Sequence, residues 1–303
     1  MRPVHGVLLL DKPRGLSSNV ALQKARHLFH AEKAGHTGTL DPEATGLLPL
    51  CFGEATKFSS YLLDAPKGYE ATLCLGELSD TGDAEGNLTP GPGPIPSDLA
   101  FIKATLHSLL GSQAQIPPMH SALKHEGRPL YDYARAGIEI ARPARQIFVF
   151  KLELLELEDR FLRIQADCSK GTYIRVLAEE IGRRLGCGAW LSSLRRNRTG
   201  GFVLENALTL EAIAELQESQ RESHLLSPET LVEDLPRMDL SLVQAKALRH
   251  GQSPVFEWED IAAALIDQTA RVYWPDGLFL GLAKPQANGQ LVAVRLMSES
   301  MIQ

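Results

Sequence analysis

Hydrophobic positions along the chain follow two different periods, which predict strands in some stretches and helices in others. Residues 6–10 form an apolar run of the length of a buried strand, whereas residues 69–76 and 162–167 alternate between apolar and polar side chains, as half-buried strands do. Between residues 174 and 185, apolar residues recur at intervals of three and four, and Gly186 then ends the predicted helix. Because strands and helices do not alternate regularly, we expect an α+β fold rather than a doubly wound parallel sheet.

Other segments add helices and loops to this pattern. Ser17 or Ser18 is a candidate N-cap for a helix that runs to about Phe29. Residues 35–49 are dense in Gly, Thr and Pro and are predicted to form a loop. The remaining predicted elements are helices at 53–63, 98–110, 129–136 and 208–217, a strand at 147–157 and an irregular stretch at 113–145.

The end of the chain is predicted to form a smaller, separate unit. Pro228 and Pro236 mark a linker, which is followed by a predicted helix at about 241–250. Short strands come next, and the turns at 275–277 (PDG) and 288–289 (NG) are typical of β-hairpins. A chain of 303 residues is long enough for two domains, so we expect a β-rich unit after the linker.

Charge is distributed unevenly along the chain. The net charge of −6 argues weakly against a nucleic-acid-binding protein. However, residues 120–200 carry a charge of +5, whereas residues 201–303 carry −8. A local basic face is what an RNA backbone requires, but an ordinary solvated surface has the same composition. Charge alone therefore leaves both interpretations open.

Cysteine usage and hydropathy indicate the compartment. The four cysteines form no CxxC pair, which gives no sign of a disulfide framework or a zinc finger. The longest apolar run near the N-terminus ends at Asp11 and is too short for a signal peptide or a membrane span. We therefore expect a cytoplasmic protein that does not associate with membranes.

The segment 35–49, GHTGTLDPEATGLLP, is the most informative part of the sequence. Asp41 directly precedes Pro42, and a residue before proline is held in an extended conformation. Such a loop can present a carboxylate for binding or catalysis, although Asp-Pro also caps turns that have no further role. A phosphate-binding loop is excluded because the segment has neither a GK[ST] ending nor G-x-G-x-x-G spacing. The neighbours of His36 offer no metal-ligand spacing, so we expect no metal.

Five blocks of sequence between residues 6 and 200 resemble, in the same order, the TruB family of pseudouridine synthases. The blocks are GVLLLDKPRGLSS (6–18), GHTGTLDPEATGLLPLCFGEATK (35–57), GYEATLCLGELSDTGDAEG (68–86), IPPMHSALKHEGRPLYDYARAG (116–137) and CSKGTYIRVLAEEIG (168–182). Enzymes of this family convert uridine 55 in the T-loop of tRNA to pseudouridine. The residues after about 240 match less distinctly and resemble a small RNA-binding domain of the PUA type.

The resemblance implies a fold, a substrate and a domain organisation. The catalytic domain would span residues 1–235, with a mixed, mainly antiparallel sheet and an RNA-binding insertion at about 120–146. A small, β-rich PUA-like domain would follow at 240–303. The enzyme would act on tRNA as a monomer without a protein partner, and it would need no cofactor. Because the target uridine is stacked inside a folded loop, the enzyme would have to flip it out, at a cost of a few kcal/mol.

The resemblance also assigns roles to individual residues. Asp41 matches the family's nucleophile, and Arg175 matches the arginine that pairs with it. Tyr69 matches a tyrosine that stacks on the target base and is a candidate for proton abstraction. Attack at C1′, attack at C6 and an eliminative glycal route all remain open, as does the identity of the general base. Further residues expected to contact the substrate are Tyr173, Leu194, His36 and Lys12.

Other functions remain to be weighed against this one. Five basic residues of the insertion would grip the RNA backbone, and they are Lys124, Arg128, Arg135, Arg142 and Arg145. A non-catalytic module that binds or folds tRNA is the main alternative, but the presence of Asp41, Tyr69 and Arg175 favours an isomerase. An enzyme acting on a small molecule would leave the basic block unexplained. A synthase that works within a guided ribonucleoprotein fits the C-terminal unit and the chain length less well than a self-guided tRNA enzyme.

Overall fold

The chain folds around one large and one small β-sheet in a computed structural model that describes residues 1–256 and 265–298. The strands are β1 (Gly6–Lys12), β2 (Ala34–His36), β3 (Thr45–Phe52), β4 (Lys67–Leu75), β5 (Glu77–Ser79), β6 (Leu88–Pro90), β7 (Gly111–Gln115), β8 (Lys124–His125), β9 (Arg128–Pro129), β10 (Arg145–Glu158), β11 (Phe161–Cys168), β12 (Ala189–Thr199), β13 (Phe202–Val203), β14 (Arg237–Asp239), β15 (Ala270–Tyr273), β16 (Phe279–Pro285) and β17 (Leu291–Leu296). The helices are α1 (Ser18–Leu28), α2 (Ser59–Asp64), α3 (Leu99–His107), α4 (Leu130–Arg135), α5 (Ile174–Leu185), α6 (Leu210–Glu215), α7 (Glu218–Arg221) and α8 (Leu242–Arg249). Short 3₁₀ turns lie at Gly53–Lys57, Leu204–Asn206, Glu222–His224 and Pro228–Val232.

The large sheet is mixed but mainly antiparallel. Its strands lie in the order β1-β3-β12-β4-β11-β10-β7, with β2 beside β3 and β13 beside β12. Neighbouring strands run antiparallel, except that β3 and β12 pair in parallel. The prediction of an α+β fold with a mainly antiparallel sheet is confirmed.

Helices α3 and α5 cover one face of this sheet because the alternating strands present their apolar residues to it. Tyr69, Ala71 and Leu73 of β4 are buried on this face, and Ile164 of β11 lies opposite Ala71. Leu177 of α5 belongs to the same core. Burial of each large apolar side chain contributes roughly 1.5–3 kcal/mol relative to its exposure, so this core fixes α5 on the centre of the sheet.

The start of α5 is held in place by hydrogen bonds to a neighbouring strand. The backbone N–H of Tyr173, the N-cap, donates to Oε1 of Gln115 at 2.8 Å, and Nε2 of Gln115 donates to the Tyr173 carbonyl at 3.1 Å. The helix ends at Gly186, whose φ of 77° suits glycine, as the sequence predicts. Arg175 lies in the first turn of α5, and the two hydrogen bonds between Tyr173 and Gln115 fix the position of that turn.

Strand β3 differs from the expectation for this part of the chain. The sequence predicts a loop over 35–49, but the structure has a strand at Thr45–Phe52. Pro49 is compatible with the strand because it lies opposite Leu9 of β1, whose carbonyl accepts a hydrogen bond from the N–H of Leu208 at 2.9 Å. The helix predicted for 53–63 is instead a 3₁₀ turn followed by the short helix α2.

The small sheet forms the C-terminal β-rich unit. Its order is β14-β15-β16-β17, and both predicted hairpin turns connect strands that pair antiparallel. Helix α8 begins with a capping box formed by Ser241 and Gln244. Leu248 of this helix packs with Val272 and Leu280 of the sheet.

The segment between Pro228 and Pro236 packs against the body of the protein, although the sequence predicts a linker there. Leu231 and Val232 are buried in a core that also contains Val7 of the large sheet and Leu282 of the small sheet. Two proline residues mark the boundary in the sequence, but the apolar residues between them join the two sheets through a shared core.

Candidate active site

Asp41 lies in the loop between β2 and β3, and polar groups beneath the loop hold it. Nζ of Lys12 donates to the carbonyl of Pro42 at 3.2 Å. The hydroxyl of Ser18 donates to the carbonyl of Leu40 at 2.9 Å, and the Leu40 N–H donates back to that hydroxyl at 2.7 Å. The residues on both sides of Asp41 are therefore tied to the end of β1 and the start of α1.

Arg175 lies between two carboxylates. Its Nη2 is 3.0 Å from Oδ2 of Asp41, and its Nη1 is 3.0 Å from Oδ2 of Asp83. The guanidinium also donates to the carbonyl of His120 at 2.6 Å and to that of Thr81 at 3.4 Å. These contacts leave the arginine one orientation, in which it faces the loop that carries Asp41.

The surroundings of Asp41 raise the pKa of its carboxyl group above the ordinary value. Burial in the walls of the site is the largest cause, and the negative charge of Asp83 acts in the same direction. The positive charges of Arg175 and Lys12 oppose the rise. A higher pKa makes a carboxylate more basic and, when it is ionised, a stronger nucleophile, and the positive charge of Arg175 favours that ionised form.

Tyr69 of β4 lies beside the buried guanidinium of Arg196 on β12. The two residues are direct partners across the antiparallel strands, and both line the same cavity. Burial raises the pKa of Tyr69, while the charge of Arg196 opposes the rise. The hydroxyl is therefore neutral at physiological pH, which suits a ring that stacks on a base.

These residues line one cavity of about 380 Å³, a volume within the range of roughly 300–1,000 Å³ that is common for small-ligand pockets. Asp41 and Arg175 lie on its wall together with Tyr69. Tyr173 and Leu194, both predicted from the sequence to contact substrate, also line it. The structure thus brings together all three predicted catalytic residues and two of the predicted substrate-contacting residues, which come from four separate segments of the chain.

His36 and Lys12 lie outside the lining of this cavity. His36 ends strand β2, and its Nδ1 is buried and unpartnered within the described residues. Burial lowers the pKa of His36, and the charge of Arg196 adds to the effect. The side chain of Lys12 is fully buried and donates to three carbonyl groups, so its contacts support the loop rather than face solvent. Burial lowers the pKa of Lys12 to about 8.

The basic residues predicted to bind RNA occupy different positions in the insertion. The hairpin of β8 and β9 and helix α4 carry Lys124, Arg128 and Arg135, which are exposed. Arg142 is mostly buried beside Glu139, and its Nε and Nη1 have no partner within the described part of the chain. Arg145 lies inside the cavity, where its guanidinium stacks 4.8 Å from the centre of the Tyr173 ring.

Sequence reasoning missed two charged residues of the site. Asp83 lies in the acidic loop after β5, and nothing in its local sequence distinguishes it from Asp80. Arg196 stands among several arginines in β12, and only strand alternation relative to exposed Arg195 could have indicated that it points inward. Both residues are recognised through contacts with segments distant in the sequence.

The described residues include no group of three or more His, Cys, Asp or Glu side chains arranged to hold a metal ion. Within the same part of the chain, no helix has the length and apolar character needed to cross a membrane. An ionised carboxylate beside a fixed guanidinium and a flat aromatic ring can form a covalent adduct with a planar, uncharged ring compound.

Comparisons with known proteins agree with this fold. Residues 26–174 match the model described as "TruB family pseudouridylate synthase (N terminal domain)". Residues 175–235 match "tRNA pseudouridylate synthase B C-terminal domain", and residues 236–297 match "Pseudouridine synthase II TruB, C-terminal". The chain is 53% identical over 298 residues to the tRNA pseudouridine synthase B of Neisseria meningitidis serogroup A, covering 98% of this chain and 96% of the relative. It is 52% identical to the protein of the same name from Aromatoleum aromaticum, covering 98% and 94% of the two chains.

A solved structure shares the fold. The match is to the "Crystal Structure of a Cbf5-Nop10-Gar1 Complex", with a TM-score of 0.74 and 27% identity over 97% of this chain and 84% of the other. The fold and the family models thus define a pseudouridine synthase type of protein. At the identity and coverage found, the chain belongs to the TruB family.

Proposed function

We propose that this protein is a tRNA pseudouridine synthase that converts uridine 55 in the T-loop of tRNA to pseudouridine. The observation that carries the proposal is the Asp41–Arg175 pair on the wall of a cavity that also contains the ring of Tyr69. Relatives at about half identity over nearly the whole chain bear the name tRNA pseudouridine synthase B, which supports the same substrate.

Asp41 is the nucleophile in the proposed reaction. By attack at C1′ or at C6, its carboxylate forms a bond to the ribose or to the uracil, the bond between N1 and C1′ breaks, and the uracil turns within the cavity. A bond then forms between C5 and C1′, the proton on C5 leaves to water, N1 takes up a proton from water, and the carboxylate is released unchanged. In the glycal route, which remains open, the carboxylate instead removes the C2′ proton as the bond between N1 and C1′ breaks, and that proton returns to C2′ when the new bond forms.

The other residues of the cavity hold the nucleophile and the base. Arg175 keeps Asp41 ionised and pointed into the cavity, since both ends of its guanidinium are engaged. Tyr69, neutral at physiological pH, stacks on the flipped uracil, and Leu194 and Tyr173 close the apolar side. His36 helps to fill the place that the extruded nucleotide leaves.

Contacts outside the cavity supply the energy for flipping the uridine. The exposed cations Lys124, Arg128 and Arg135 of the insertion bind phosphates, and Arg145 joins them from the wall of the cavity. Residues 1–235 form the catalytic domain and residues 240–303 form a PUA-like domain that extends the contact with tRNA. The enzyme acts in the cytoplasm as a monomer, without a cofactor or a protein partner.

The test uses unmodified tRNA that carries tritium at C5 of its uridines. Formation of the carbon–carbon bond must expel the label at the target position into water. We expect release by the wild-type protein and none by Asp41→Asn, with tRNA binding retained by both. A wild-type protein that binds tRNA tightly but releases no tritium would be a non-catalytic RNA-binding module, and the proposal would fail.

A further inference from the structure

Arg196 is the most deeply buried cation of the cavity wall, and the reaction as proposed above does not use it. It is only 1% exposed, although it lies in a strand whose neighbouring arginine faces solvent. Within the described residues, no carboxylate forms an ion pair with it, so its charge is compensated only by uncharged groups. Burying a guanidinium under these conditions is costly, which indicates that its position serves a purpose.

Two backbone carbonyls fix the guanidinium from below the loop that carries Asp41. Nε donates to the carbonyl of Leu47 at 2.7 Å, and Nη2 donates to the carbonyl of Gly38 at 3.3 Å. These carbonyls lie on either side of the loop, one before Asp41 and one after it. The strand itself is also anchored, because the backbone of Arg196 pairs with Gly46 of β3.

The fixed guanidinium acts on one side chain of the site, Tyr69. Arg196 and Tyr69 are direct partners across the two strands, and both line the cavity. The charge of the guanidinium opposes the rise that burial causes in the pKa of Tyr69, so the two side chains interact. Because two carbonyls fix the guanidinium, the Tyr69 side chain lies against a group that does not move.

We propose that Arg196 is a positioning residue that holds Tyr69 in the orientation required for pseudouridine formation. The inference rests on the proposed function, since it assigns to Arg196 a part in that same reaction. Arg196 acts through Tyr69 and does not itself touch the reacting atoms. A lysine at this position keeps the charge but has no planar fork, so it cannot bind both carbonyls in the same geometry.

Arg195 provides a matched control. It is adjacent in the chain and in the same strand, but its side chain is 43% exposed and pairs with Asp11 at 2.7 Å. Replacement of Arg195 by lysine removes the same fork and the same number of atoms without touching Tyr69. If the two variants differ in their rate of tritium release, the difference is therefore due to the position of the arginine and not to the change from arginine to lysine.

The experiment measures single-turnover tritium release, tRNA affinity and melting temperature for the wild type, both lysine variants, Tyr69→Phe and the double variant Arg196→Lys/Tyr69→Phe. We expect Arg196→Lys to release tritium at least about tenfold more slowly, as small misplacements of site groups commonly do, with tRNA affinity unchanged. Arg195→Lys should match the wild type. In the Tyr69→Phe background, the Arg196→Lys substitution should cause little further loss, because its effect passes through the missing hydroxyl.

Two results would overturn the inference. One is a wild-type rate of release by folded Arg196→Lys, even if its melting temperature falls, since the arginine would then only support the fold. The other is a result in which Arg196→Lys slows tritium release by the same factor in the wild-type background and in the Tyr69→Phe background. If Tyr69→Phe is too slow to measure, the comparison of the two lysine variants decides alone. Failure of the proposed function is distinguished by the wild-type protein, which would then release no tritium at all.

Discussion

Asp41 and Arg175 form an ion pair in which the aspartate side chain is half-exposed and the arginine side chain is buried. Their Oδ2 and Nη2 atoms are 3.0 Å apart, and the aspartate side chain is 47% exposed whereas the arginine side chain is 6% exposed. The protein thus fixes the guanidinium and leaves the carboxylate accessible from the cavity. This asymmetry is what a nucleophile requires, because the reacting group must meet substrate while its partner stays in place.

Asp83 pairs with Nη1 of Arg175, whereas Asp41 pairs with Nη2 of the same guanidinium. We expect the reaction to depend on Asp83, although it does not itself contact Asp41. It also accepts a hydrogen bond from Thr81 at 2.6 Å, so its own position is fixed. Asp83→Asn keeps the shape but removes the charge that holds Arg175. We predict that tritium release slows by about tenfold to a hundredfold while tRNA binding is retained.

The control for this variant is Asp80→Asn in the same loop. Asp80 is exposed and accepts hydrogen bonds from Asn87 rather than from Arg175. It should release tritium at the wild-type rate. Equal losses in both variants would show that the loop as a whole, and not the contact between Asp83 and Arg175, supports the reaction.

The pH dependence of the reaction should reflect the raised pKa of Asp41. Burial and the charge of Asp83 raise this pKa above the ordinary value of 3.8, against the effect of Arg175. Because the nucleophile must be ionised, the single-turnover rate should fall as pH decreases through this raised pKa, with a midpoint above 3.8. In Asp83→Asn, one cause of the rise is removed, and the midpoint should move to lower pH. A midpoint at or below 3.8 in the wild type would contradict this account.

The main elements of the fold could be predicted from the sequence because they depend on local pattern. The apolar run of β1, the alternation of β4 and the spacing of apolar residues in α5 each determine their element within a short window. Strand β3 could not be predicted in this way. Gly46 and Pro49 favour a loop locally, and only pairing with β1 makes the segment a strand.

The residues of the site likewise divide into those that the local sequence indicates and those that depend on distant contacts. Asp41 could be singled out because Pro42 constrains its backbone, and the resemblance to a family supplied Arg175 and Tyr69. Asp83 and Arg196 were missed because each is defined by contacts with distant segments of the chain: Asp83 by its ion pair with Arg175, and Arg196 by hydrogen bonds to two carbonyls of the loop that carries Asp41. Neither contact leaves a period or a spacing in the sequence.

Gly46 should be intolerant of any side chain. Its φ is 100°, and a Cβ atom added there would lie 2.2 Å from the backbone carbonyl oxygen of Arg196. Gly46→Ala combines a strained backbone with a clash against a strand that cannot move freely, and we predict a loss of about 2–4 kcal/mol in the free energy of unfolding. The measurement is urea denaturation. Gly35→Ala, with open space around its added carbon, should remain within about 0.5 kcal/mol of the wild type.

Glu54 connects the turn after β3 to the end of the C-terminal sheet. Its Oε2 accepts from the backbone N–H of Ser298 at 2.6 Å and from Nζ of Lys57 at 2.8 Å. Lys57 also donates to the carbonyl of Leu296 at 3.0 Å. Together with the shared apolar core, this arrangement makes the C-terminal unit a fixed extension of the large sheet.

We predict that Glu54→Gln lowers the free energy of unfolding by roughly 1.5–3 kcal/mol at pH 7, the usual size for hydrogen bonds to a charged group. Burial alone would raise the pKa of Glu54, but hydrogen bonds from Lys57 and Ser298 outweigh it, and the pKa is lowered. This stabilisation is therefore present above the unfolded-state pKa of about 4.3 and is lost as pH falls through the lower folded-state value. The difference in the free energy of unfolding between variant and wild type should thus shrink in acid, as followed by urea denaturation.

Glu43→Gln, which affects the exposed pair with Arg14, should change stability by less than about 1 kcal/mol. A gap between Glu54→Gln and wild type that stays constant down to pH 3 would show that the carboxylate charge is not what joins the two sheets.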